Sequence, residues 1–97
     1  MKLDILGTKY EYSEPNEKTD PDLKENAGYC DYNLKKIVVC SDIETRYAMR
    51  KIQRHEVIHA FMHESGLDKY TDDETLVDWI ANMFPKILKV VQTLDAV

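Results

Sequence analysis

A small α+β domain is predicted for this chain, and three observations predict it. Two stretches, residues 3–13 and 28–40, alternate apolar and polar residues around turn-forming ones, the pattern of β-hairpins. Two later stretches repeat apolar residues at helical spacing, one from about residue 41 to 65 and one from about 71 onward. Ninety-seven residues supply one modest core, so a single domain spanning 1–97 is expected.

The elements follow in order. Leu3, Ile5, Tyr10 and Tyr12 alternate with polar residues around Gly7-Thr8 and predict the first hairpin. Residues 14–27 hold two of the three prolines and many charges, which reads as an acidic, solvated loop. In the second hairpin Tyr29–Tyr32 is one strand, Asn33-Leu34-Lys35 the turn, and Lys36–Cys40 the other strand, with the β-branched run Ile37-Val38-Val39. That pairing is expected to bring Cys30 and Cys40 near each other. Free thiols are expected there nonetheless, as small buried strand residues of a reducing compartment.

Ser41-Asp42-Ile43-Glu44 has the form of a capping box, which predicts a long helix ending near Ser65 with Gly66 as its stop. At about 100° per residue, Ala48, Ile52, His55, His59 and Met62 share one stripe. Ile43, Tyr47, Val57 and Phe61 form a second apolar arc, so both sides of the helix are expected to be covered. Thr71-Asp72-Asp73-Glu74 is a second capping box. The helix it opens carries Leu76, Ile80, Met83, Ile87, Val90, Val91 and Leu94 as its predicted core face, with Glu74, Asp78 and Ala81 on another, and Pro85 should kink or divide it.

Charge and composition narrow the function. The net charge is −5, from 18 acidic and 13 basic residues, and no basic run occurs, which argues against nucleic acid as a direct partner. Lys2 and Asp4 fall where a signal peptide needs an apolar run, and no stretch approaches transmembrane length. A cytoplasmic protein without membrane contact is therefore expected; the oligomeric state is not legible.

The motif that carries chemistry is His55-Glu56-Val57-Ile58-His59, an H-E-x-x-H sequence within the first predicted helix. Spacing of i, i+4 places both imidazoles on one face, one turn apart, where they can bind a single Zn2+. Glu56 between them is the expected catalytic base, acting on the water that the metal activates. A third ligand is needed. His63, a further turn along, would require one ion to span about 12 Å of helix and is disfavoured. Glu74 and Asp78, i and i+4 on the next helix, are the acidic alternatives. Asp78 is either the ligand itself or the group that holds a histidine ring N–H from behind. Tyr70, His63 and Tyr29 are the candidates for stabilising a developing oxyanion.

Taken together, the strand ending Ile37-Val38-Val39, the segments His55–Phe61 and Glu64-Ser65-Gly66-Leu67, and Glu74-Thr75-Leu76-Val77-Asp78-Trp79 resemble the ImmA/IrrE family of zinc metallopeptidases. Small phage- and prophage-encoded proteins related to that family are the most similar. The resemblance covers about residues 28–88, and HExxH alone is shared by many zincins. It implies a minimal zincin, with a small antiparallel sheet packed on the HExxH helix. It implies His55, His59 and Glu74 as zinc ligands, Glu56 as base, and a protein or peptide substrate such as a repressor-type regulator in the host cytosol. Val77-Asp78 departs from the small residue followed by Asn that such enzymes often carry. Two functions follow as expectations: a zinc metallopeptidase, or a protein-binding module that keeps the scaffold with zinc structural or absent. A fourth protein ligand from Asp78 or His63 would favour the module.

Overall fold

The computed structural model describes all 97 residues. Strand β1 (Lys2–Ile5) turns through Leu6 and Gly7 into β2 (Thr8–Ser13). Both turn residues have positive φ, 53° and 93°, the handedness that a two-residue hairpin loop demands. Strands β3 (Gly28–Asp31) and β4 (Lys36–Val39) form the second hairpin. The hairpins join through a parallel β2–β4 pair, giving one four-stranded sheet in the order β1-β2-β4-β3. Strand β3 is therefore an edge. The sheet is mixed rather than the antiparallel one expected, because each hairpin is antiparallel but the long loop between them sets the second so that β4 runs parallel with β2.

One face of the sheet packs on α1 (Arg46–Glu64), through Ile5, Tyr10, Ile37 and Ala60. The opposite face is covered by the chain before and after the second hairpin, where Leu23, Val38 and Cys40 cluster with Tyr29 and Ile43. The acidic loop thus does more than face solvent. Its 3-10 turn Pro21–Lys24 buries Leu23, and Asp20 accepts the Tyr29 hydroxyl.

The expected proximity of the cysteines fails. Cys30 pairs with Ile37, while Cys40 lies beyond the last rung and joins the opposite face. Alternation of side chains puts them on different sides of the sheet. Both are free, as expected.

The start of α1 also differs. Thr45, not Ser41, is its cap, and its Oγ1 accepts the Ala48 amide at 3.1 Å. The end is as predicted: Gly66, at φ +87°, donates to the His63 carbonyl, and Leu67 donates to that of Met62. That reversal leads through α2 (Asp68–Thr71) into α3 (Glu74–Thr93), whose cap is Asp73 rather than Thr71. Tyr47 and Phe61 are exposed, so the second arc of α1 is only partly covered.

Helix α3 packs on α1 by a narrower face than its periodicity suggests, with only Val77 and Ala81 fully buried. Ile87, Val90 and Leu94, expected in the core, are 52%, 61% and 72% exposed. Pro85 does not divide the helix. A proline there leaves the Ala81 carbonyl without its usual i+4 amide, and Arg54 Nε of α1 donates to that oxygen at 2.7 Å. No helix is long and apolar enough to cross a membrane.

Candidate metal centre

Successive turns of α1 bring His55 and His59 together, with their Nε2 atoms 3.2 Å apart. The first residue of α3 faces them. Glu74 Oε2 is 2.7 Å from His55 Nε2, and its Oε1 is 3.0 Å from His59 Nε2. All three donor groups lie within 4.8 Å of one another. Four ligands at about 2.0–2.1 Å around zinc sit about 3.3 Å apart, so the two nitrogens and the carboxylate fit that ion without rearrangement of the backbone.

The rings are held from behind. His59 Nδ1 lies 2.8 Å from Thr71 Oγ1, which in turn is 2.7 Å from the Tyr32 hydroxyl. His55 Nδ1 lies 3.7 Å from Asp78 Oδ1, which Lys51 also approaches at 3.5 Å. Asp78 thus stands on the far side of His55 from Glu74. His63 points elsewhere: it pairs with Asp68 and stacks on Tyr32 at 4.3 Å between ring centroids. Burial lowers the His59 pKa against the opposing pull of Glu74, which favours the neutral imidazole that a metal requires.

Glu56, only 7% exposed, points into the same cleft of about 910 Å³, which the edge strand β3 borders with Gly28, Tyr29 and Cys30. Burial raises the Glu56 carboxyl to about 7. The Cys30 thiol is pushed up to about 12, chiefly by burial and then by the Glu56 charge, so it is no nucleophile at neutral pH. Gly28 allows β3 its close approach: a Cβ there would fall 2.8 Å from the Val38 carbonyl oxygen and 3.3 Å from Glu56 Cγ.

Among the expected site residues, His55, Glu56, His59 and Glu74 come together, with Asp78 behind them. Of the oxyanion candidates, Tyr70 and His63 do not line the cleft, and the Tyr29 hydroxyl donates to Asp20. Tyr32 and Thr71 are the residues that sequence reasoning missed. Thr71 looked like a helix cap, and the only signal for its role was its place three residues before Glu74. No protein-family model, curated protein or solved structure matches the chain.

Proposed function

We propose that this chain is a zinc-dependent hydrolase of peptide bonds, a minimal zincin of the kind the ImmA/IrrE resemblance implies. The observation that carries the reading is the convergence of His55, His59 and Glu74 donor atoms within 4.8 Å, in a cleft that also holds Glu56. Zinc bound there would polarise a carbonyl and lower the pKa of a water.

The remaining work falls to the chain's own residues. With its Nε2 turned toward the metal position, His59 carries its proton on Nδ1 and hydrogen-bonds it to Thr71 Oγ1, whose hydroxyl is in turn hydrogen-bonded to that of Tyr32. Glu56, with a pKa near neutrality, takes a proton from the attacking water and returns it to the leaving amine. An extended substrate would pair with the outer edge of β3, which borders the cleft. Three protein ligands would leave a position for water, since Asp78 contacts Lys51 and the back of His55, and His63 pairs with Asp68. That arrangement supports the enzyme over the binding module.

One zinc per chain is expected on elemental analysis, and His59→Ala should lower affinity by orders of magnitude. Glu56→Gln should retain zinc and lose turnover. Unchanged zinc content in His59→Ala would reject the site. Equal cleavage by Glu56→Gln would reject the mechanism, and tight binding of a partner with no cleavage by the parent would select the module.

A further inference from the structure

A second groove between α1 and α3, of about 350 Å³, shares no lining residue with the cleft. It gathers Arg46, Arg50, Arg54 and Lys86, with Tyr47 and Asn82 between them. These include all three arginines of a chain whose net charge is −5. No carboxylate lines the groove, and none of the four cations belongs to an ion pair. Arg54 uses Nε for the Ala81 carbonyl, which leaves its two terminal nitrogens for another acceptor. In the sequence the arginines recur every fourth residue; the turns of α1 align them, and packing of α3 adds Lys86.

The placement works against the helix itself. Arg46, Arg50 and Arg54 follow one another at i, i+4 and i+8, where like charges repel. Arg46 is the first residue of α1, and no acidic residue occupies that turn. The positive end of a helix dipole disfavours a cation there. Local stability alone would place an acid at Arg46 and break the row at Arg50, Arg54 alone having a partner in the fold, and an anionic ligand would remove the conflict.

We propose that this groove docks a short acidic segment of a partner protein. The three guanidinium stems are spaced about 6 Å apart over about 12 Å of helix. Carboxylates one turn apart on a helix, or two residues apart on a strand, match that spacing. Guanidinium forks hold carboxylates by paired hydrogen bonds. A nucleic-acid strand fits less well. It would run past the groove onto an acidic chain, beginning with the exposed Asp42 and Glu44 just ahead of α1.

The test is fluorescence anisotropy of labelled hexaglutamate with the full chain, at low and high salt. Saturable, salt-sensitive binding is expected. The doubly substituted Arg46→Ala, Arg50→Ala chain should bind on the order of tenfold more weakly or worse. Arg50→Lys should lose less than Arg50→Ala. Without peptide, Arg46→Glu should raise the melting temperature, whereas arginines kept for the fold alone would make it fall. The proposal is overturned by absence of saturable binding at millimolar peptide, or by unchanged binding in the double variant. It is also overturned if an oligothymidylate of equal charge binds more tightly. Concentration-dependent dimerisation that hexaglutamate reverses would assign the groove to a second copy and overturn it equally.

Discussion

Glu74 and Asp78 lie one turn apart on α3, yet the structure gives them different tasks. Glu74 presents both oxygens to the two Nε2 atoms, whereas Asp78 reaches only the back of His55. Glu74→Ala should therefore weaken zinc binding more than Asp78→Ala, whose loss should stay within about 10–100-fold. A competition titration with a chromophoric chelator gives the order, and the reverse order would make Asp78 the ligand. Glu64 shows a carboxylate used for the fold instead. It accepts from Thr8 Oγ1, the Tyr10 hydroxyl and Lys35 Nζ, tying the end of α1 to the first hairpin and to the turn of the second. The Lys35 bond first, then Tyr10, hold its carboxyl at about 2 rather than 4.5. A depressed folded-state pKa stabilises the fold above the unfolded value and loses that effect as pH falls. Denaturant midpoints of the parent should thus drop between about pH 4.5 and 2 more steeply than those of Glu64→Gln. Parallel curves would deny Glu64 this role. The sequence displayed His55 and His59, because the i, i+4 rule is local, but left Glu74 and Asp78 open, because which carboxylate faces the histidines depends on how α3 packs on α1. It did not display Thr71 and Tyr32, whose contact with His59 depends on how α2 returns to the sheet.

Among the elements, the α1–α3 pair sets the site, and one unusual contact helps to fix it. Arg54 supplies to Ala81 the hydrogen bond that Pro85 cannot. Arg54→Met should cost about 1.5–3 kcal/mol, the range for a hydrogen bond to a charged group. In a Pro85→Ala background the loss should shrink, since an amide at residue 85 can then satisfy Ala81. A double-mutant cycle by urea denaturation reads the coupling, and strictly additive effects would refute it. The sequence predicted a kink or a division at Pro85; the helix is not divided, and the donor that serves the Ala81 carbonyl sits 31 residues earlier on another helix, out of reach of a local rule. Ser41-Asp42-Ile43-Glu44 and Thr45 both satisfy the local rule for a cap, and only the chain's path over the sheet chooses Thr45. Periodicity correctly made α3 amphipathic but could not say which face meets α1. Close approach to α1 selects small Ala81, and the last turns of α3 keep Ile87, Val90 and Leu94 exposed.

For the molecule as a whole, the small core makes the candidate metal site a matter of stability as well as chemistry. Only 14 of 97 residues are buried, and three of these are polar or charged: Glu56, His59 and Thr71. All three line the cleft. The ligands come from two helices, so an ion bound by His55, His59 and Glu74 would cross-link α1 to α3 in the folded state. The unfolded chain keeps only the i, i+4 pair of histidines and binds more weakly. Free zinc at about 100 times the dissociation constant should then stabilise the fold by about 2.7 kcal/mol. For a domain of this size, that corresponds to a rise in melting temperature of roughly 10–20 °C. Scanning fluorimetry with zinc and then with excess chelator measures the shift and its reversal. His59→Ala should abolish the zinc response, whereas Glu56→Gln, which leaves the ligands intact, should keep it. A parent protein whose melting temperature does not respond to zinc would break the link between this site and the fold.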